Sequence, residues 1–388
     1  MLITIRRVKT IRKSRIIKSY YSVAFCRFAW YNLSMSDVFY NERDTKNVEK
    51  IREICSRLPD FVTEFAVSIQ LRTTPLTRLG YVSDIRIFFN YLIKQNFRDL
   101  KTEKDVTIND LAALKAYDIE LFLDYLGSYY IDGKHYKCGV EAKERKLSSL
   151  RTFFKFLYRH EKLSENITEK VETPKIHEKP IRFLEVNEIA ELLDVAESGR
   201  ALTPRQKAFQ NITKTRDVAI LSVFLGTGIR ISELVGLDKD DVDLETNALS
   251  VVRKGGAKAI LYFSDEVAAA ITSYLGWIDE QKKLGTDFSK KISDENALFL
   301  SLQGKRITVR SVQLLVEKYT SIVSPLKHIT PHKLRSTFGT TLYRETQDIY
   351  VVADVLGHKD INTTKKHYAA ISDEIRRKAA NTVKLRED

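Results

Sequence analysis

Residues 215–237 read TRDVAILSVFLGTGIRISELVGL. From Val218 to Leu225 almost every residue is apolar. A segment apolar on all sides is a helix with no solvent face, so it belongs in an interior. Gly226 and Gly228 break it, and a helical pattern resumes behind Arg230. A cation directly after a buried run and two glycines is unusual. Taken alone it reads as the ion-pair partner of Glu233, three residues on.

Outward from this helix, FLEVNEIAELLDVAES (183–198) is a second helix with its own apolar face. Downstream, ALSVVRKGGAKAILYFS (248–264) has two β-rich runs around Lys254-Gly255-Gly256. That is a hairpin with a glycine turn. From residue 306 onward helical signals dominate: TVRSVQLLVEKYTSIV, then TPHKLRSTFGT (330–340), then QDIYVVADVLGH and NTTKKHYAAISDEIRRKAANTVK. In TPHKLRSTFGT, Thr330 suits the N-cap and Pro331 the first helical position. His332 and Arg335 then share one face near the positive helix end, a ready anion site.

Residues 167–182 hold two of the seven prolines, mixed charge and few large apolar residues, and read as a linker. Before it, 46–166 is a bundle of about four or five helices, and 183–378 forms a second domain, with 379–388 a tail. Leu76, Leu79, Val82, Ile85, Phe88 or Phe89 and Leu92 make one stripe in the first domain, capped by Thr74 or Thr77. A further helix is expected over 115–131 and another over 140–163. The last carries Lys143, Arg145, Lys146 and Arg151 opposite Leu147, Leu150, Phe153, Phe154 and Leu157. These cations are either a solvated face or contacts to nucleic-acid phosphates. The fold class is mainly α with a small β-sheet: a helical bundle followed by an α+β domain.

The net charge of the 388 residues is +13. Residues 1–34 supply +8 of it, with eight Lys or Arg and no acid. The remainder has 56 basic against 51 acidic groups, so bulk charge is weak support for a nucleic-acid partner. Met1 and Met35 are the only methionines, and Met35 is the favoured natural start, with 1–34 as leader. A transit peptide and a basic arm on DNA are the alternatives. Cys26, Cys55 and Cys138 are scattered and odd in number, which suits a reducing compartment, the cytoplasm, and neither a disulfide framework nor a zinc site. No apolar run approaches the roughly 20 residues of a membrane span.

Four features remain: Arg230; Lys254 at a hairpin tip; His332 with Arg335; and LGHKDINTTKKHY, with His358 after a glycine and Tyr368 ten residues later. Each alone has a plain structural explanation. In this order, TGIRISELVGLDKDDVDL, RKGGAK, TPHKLRSTFGTTLY and VLGHKDINTTKKHYAAI resemble the tyrosine recombinases, the phage-integrase family. The resemblance covers about 180 to 375. Residues 47–165 look like that family's helical, SAM-like core-binding domain, on far less specific grounds.

The resemblance implies a site-specific DNA recombinase working without metal, cofactor or ATP. Arg230 and Arg335 would clamp the nonbridging oxygens of the scissile phosphate, where charge develops. Tyr368 would be the nucleophile and become joined to the 3′-phosphate. Its ordinary pKa near 10 makes it a poor nucleophile until nearby cations and His332 assist. Lys254 would give a proton to the leaving 5′-oxygen, and His358 would hydrogen-bond the phosphate. Glu233 and Asp241 are assigned to holding the fold around Arg230, and His367 to the surface or packing. Ser336 stands where Xer-like members often have His, and the gap from His358 to Tyr368 is long for the family.

The expected partner is double-stranded DNA with an inverted-repeat site. The resemblance implies a homotetramer as the active form, joined by exchange of the helix in ISDEIRRKAANTVKLRED, with a frayed tail as the alternative reading of that segment. Absence of a separate arm-binding domain after Met35 favours an Xer-like resolvase of chromosome dimers, and several segments look close to single-recombinase Xer proteins of streptococcal type. Integrases of transposons, phages or conjugative elements are the alternative. Remoter alternatives are a DNA-binding protein that no longer cuts and a relaxing topoisomerase.

Overall fold

The computed structural model describes residues 36–175, 182–253 and 256–357. The chain divides into two compact units, one over 39–179 and one containing the residues from 180 onward.

The first unit contains α1 (Ser36–Ser56), α2 (Asp60–Ser68), α3 (Pro75–Lys94), α4 (Ile108–Ala112), α5 (Ala116–Tyr125) and α6 (Val140–Arg159). Between α5 and α6 lies a hairpin, β1 (Tyr129–Ile131) with β2 (Lys134–Tyr136). The helix expected over 115–131 therefore ends at Tyr125. The reason is the Asp132-Gly133 pair, whose backbones both take positive φ, 48° and 75°. Asp-Gly is the signature of a tight hairpin turn, and it overrides the helical pattern upstream.

α3 begins as expected: the Thr74 hydroxyl accepts from Thr77 N–H at 3.3 Å and Pro75 takes the first position. Its stripe is buried from Val82 to Leu92, but Leu76 in the first turn is 58% exposed. On α6, Leu147, Leu150, Phe153, Phe154 and Leu157 are all fully buried. Phenylalanines dominate this core. Phe65 meets Phe153 edge-on at 5.3 Å and Phe88 meets Phe122 at 5.1 Å, contacts worth about 0.5–1.5 kcal/mol each beyond area burial.

The second unit contains α7 (Val186–Ser198), α8 (Pro204–Thr227), α9 (Ile231–Gly236), β3 (Val242–Asp243), β4 (Ala248–Val252), β5 (Lys258–Tyr262), α10 (Asp265–Leu284), α11 (Val309–Val323), α12 (Pro331–Thr346) and α13 (Ile349–Leu356). α8 is the interior helix. Ala219, Ile220, Leu221, Val223 and Phe224 are fully buried, and α7, α10 and α12 all pack on it. It starts earlier than the apolar run, at a Thr203 cap whose hydroxyl accepts from Gln206 N–H.

The three strands form one antiparallel sheet in the order β3-β4-β5, with Val252 paired to Lys258 at the hairpin end. Residues 265–284, not assigned from sequence, form α10. Its buried Val267, Ile271, Tyr274 and Ile278 have plain helical spacing. Asp217 on α8 is 1% exposed and gathers Arg216, Lys318 and Tyr319 around it, tying α8 to α11. Burial pushes its carboxyl up, but the two cations outweigh it and the net shift is downward. Among the described residues no helix is long and apolar enough to cross a membrane.

Candidate active site

Gly226 lies inside α8, which continues through it, and the helix ends at Gly228. Gly228 takes φ +62° and caps the helix, its N–H donating to Phe224 O at 3.0 Å. A Cβ there would lie 2.4 Å from Phe338 and 2.9 Å from Leu356. Only glycine lets α12 and α13 approach this turn so closely. Two residues later Arg230 is the N-cap of α9.

Glu233 accepts from the Arg230 N–H at 3.0 Å and from its guanidinium at 2.8 Å. The ion pair expected from their spacing is present, with Glu233 buried and the Arg230 side chain 33% exposed. The free end of Arg230 reaches the carbonyls of Leu356 at 3.4 Å and Gly357 at 3.1 Å.

Arg335 arrives at the same place from α12. It is 5% exposed and donates to Gly228 O at 2.5 Å and to the carbonyl of Leu356. Arg253, just past β4, donates to Val355 O at 3.1 Å. The common target is the C-terminal end of α13. Asp348 caps that helix at its start, and Gly357 ends it in the left-handed conformation at φ +63°. The last carbonyls of a helix lack partners within it, and the helix dipole is negative there. Three arginines from three elements satisfy them. A carbonyl holds a donor without cancelling its charge, and Glu233 pairs with Arg230 beside it.

Lys254, His358 and Tyr368 lie outside the described residues. His332 is in the first turn of α12 and is exposed, whereas Arg335 is buried. Thr330 occupies the N-cap, but its hydroxyl makes no capping bond. Asp241 accepts from Asp238 N–H at 2.9 Å, and burial pushes its carboxyl up. Arg253 was not singled out from sequence. The one signal was a second cation directly before Lys254.

The basic face of α6 is different from its sequence reading. Lys146 is 5% exposed and its ammonium is 2.8 Å from the buried Asp84 carboxylate. Arg145 grips the same carboxylate through two nitrogens at 2.5 and 2.8 Å, and Ser149 donates to it at 2.7 Å. Lys146 is therefore a structural ion pair and not a phosphate contact. A buried ammonium cannot leave its counter-charge cheaply. Arg145 remains 54% exposed at its side chain. Arg151 is tied to Val171 O at 2.6 Å and Thr173 Oγ1 at 2.8 Å, pinning the chain that leaves this unit. The Lys143 side chain makes no hydrogen bond or ion pair among the described residues.

Arg230 and Arg335 thus meet at one helix end, behind a glycine turn. The phage integrase family profile matches residues 182–374. The tyrosine recombinase XerC of Caldanaerobacter subterraneus subsp. tengcongensis is 30% identical over 331 residues, covering 84% of this chain and 85% of that protein. The chain is a tyrosine recombinase of the Xer type. The XerC of Thermodesulfovibrio yellowstonii is 36% identical over 308 residues, covering 79% of this chain and 90% of that protein.

Among solved structures, XerH bound to palindromic difH aligns with a TM-score of 0.57 at 16% identity, covering 79% of this chain and 80% of that one. A lambda integrase tetramer on a Holliday junction aligns with a TM-score of 0.52 at 15% identity, covering 79% and 76%. These two likenesses establish the shared tyrosine recombinase fold. As a site-specific tyrosine recombinase the chain catalyses cleavage and rejoining of DNA, and DNA binding goes with that activity.

Proposed function

We propose that this recombinase cuts through a 3′-phosphotyrosine intermediate at a site built from Arg230, Lys254, His332, Arg335, His358 and Tyr368. The observation that carries the reading is the meeting of Arg230 and Arg335 on the carbonyl of Leu356. They lie far apart in sequence, and the carbonyl they share is two residues before His358.

The two guanidiniums hold the nonbridging oxygens and stabilise the charge that develops there. The Tyr368 Oη attacks phosphorus and gives up its proton, with His332 and the cations assisting. The P–O5′ bond breaks, and Lys254 delivers a proton to the departing oxygen. The phosphotyrosine keeps the energy of the broken ester, so the reverse attack by a 5′-hydroxyl reseals the strand without ATP. The unit over 39–179 serves as the helical DNA-binding domain, with Lys143 and Arg145 toward phosphates. The second unit is the catalytic domain. The target is an inverted repeat, the working assembly a tetramer linked through the C-terminal segment, the compartment the cytoplasm, and the task resolution of chromosome dimers. The similarity to XerC proteins supports that last assignment.

A nicked suicide substrate carrying an inverted-repeat site tests the chemistry. The wild-type protein should form an SDS-resistant protein–DNA adduct, and Tyr368→Phe should form none. An adduct that persists in Tyr368→Phe removes the nucleophile assignment. Resolution of a plasmid bearing two copies of the chromosomal repeat tests the biological task.

A further inference from the structure

We propose that Arg253 is a positioning residue for strand cleavage, locking the tip of the β4–β5 hairpin onto the C-terminal end of α13. The proposal rests on the reading of Lys254 as the acid.

The backbone of Arg253 is fixed at the hairpin end. Its N–H donates to Ala257 O at 2.8 Å and its carbonyl accepts from Gly256 N–H at 3.0 Å. Its side chain leaves the sheet and bonds Val355 O at 3.1 Å. The guanidinium lies directly on Gly357, where a Cβ would stand 1.9 Å from Nη1. Gly357 is thus required twice, for its φ of +63° and for this contact. The Arg253 Nε is buried without a partner among the described residues, unlike the head of an ordinary solvated turn cation.

β5 is an edge strand with Lys258 and Tyr262 exposed, so β4 is its one neighbour within the sheet. The Arg253 bond gives the hairpin end a second anchor, outside the sheet. Each end of that anchor is covalently next to an assigned catalytic group: Arg253 to Lys254, and Gly357 to His358. Arg230 and Arg335 hold the same helix end. One side chain therefore ties the acid-bearing loop to the arginine pair. It acts through Lys254 and need not touch the DNA.

The distinguishing experiment compares an ordinary substrate with one whose 5′-bridging oxygen is sulfur. A thiolate, with a thiol pKa near 8.5, departs without a proton, so that substrate bypasses the acid. Arg253→Ala should cleave the oxygen substrate roughly 10–100-fold slower, within the reach of general acid catalysis. On the sulfur substrate it should come within about threefold of wild type, with DNA binding unchanged. Gly357→Ala, which displaces the guanidinium while keeping the arginine, should show the same rescuable defect. Arg253→Lys carries the test if Arg253→Ala does not fold.

Lys254→Ala is the control. If sulfur does not rescue Lys254→Ala, the acid assignment itself fails. If sulfur rescues Lys254→Ala but not Arg253→Ala, or if Arg253→Ala cleaves the oxygen substrate at the wild-type rate, the positioning role of Arg253 is wrong and the acid assignment stands.

Discussion

The two units each gather cations, and they spend them differently. In the first, Arg145 and Lys146 converge on the carboxylate of Asp84, which is 1% exposed. In the second, Arg230, Arg253 and Arg335 converge on backbone carbonyls at the end of α13. A carboxylate cancels charge and fixes a fold. In the second unit Glu233 pairs with Arg230, and carbonyls hold guanidinium N–H groups in place without neutralising them, a geometry that suits a phosphodiester. Lysine and arginine on a helix face are therefore ambiguous until the acceptor is known.

The largest expected effect tests the carbonyl-held cluster. Arg335→Ala should lower strand cleavage by about 10²–10³-fold, the usual scale for losing one preorganised charge-stabilising donor. DNA affinity by gel shift should change little. Cleavage within tenfold of wild type would mean that the cluster is architectural, like its counterpart in the first unit.

The next effect tests the carboxylate-held cluster. Asp84→Asn leaves the Lys146 ammonium buried beside a neutral amide. Removing one partner of a buried pair costs about 3–5 kcal/mol. Urea unfolding of the first unit should shift by that amount. Intact stability with weakened DNA binding would instead return Lys146 to a phosphate-contact role.

Asp217 extends the comparison to pH. It is a carboxylate-held cluster inside the second unit, with Arg216 at 2.8 Å and Lys318 at 2.9 Å. Its folded pKa lies below its ordinary value: burial works against the charged form, and the two cations overcome it. A depressed carboxylate contributes stability above its unfolded pKa near 4 and loses it as pH falls through the folded value. Wild-type melting temperature should therefore drop as pH falls below about 4. Asp217→Asn should start lower at pH 7 and show a shallower fall. Parallel curves would show that Asp217 carries none of the acid sensitivity.

How much of this was readable beforehand follows the same division. The buried helix α8, its glycine break, the β4–β5 hairpin and the Arg230–Glu233 pair were all visible, because each rests on contacts within a few residues. The hairpin at 129–136 was missed although Asp132-Gly133 signals it, since the aromatic run before it also suits a helix. α10 carries its signal only in the helical spacing of Val267, Ile271, Tyr274 and Ile278, with no chemistry-bearing motif on it. The burial of Lys146 was not legible: its partner Asp84 is 62 residues away. Arg253 was hidden likewise, its acceptor being 102 residues away.

Lys143 gives the smallest and most discriminating test. It lies on the same helix as Lys146, three positions earlier, yet its side chain makes no hydrogen bond or ion pair among the described residues. If α6 presents any charge to DNA, Lys143 belongs to that set and Lys146 does not. Each phosphate contact contributes about 0.9 to the slope of log K against log salt on duplex DNA. Lys143→Ala should flatten that slope by roughly one and weaken binding a few-fold, uniformly across sequences. Its stability should match wild type, because no bond within the fold is lost. An unchanged slope would leave α6 as a structural helix whose cations serve only the fold. The DNA contacts of the first unit would then have to come from another face.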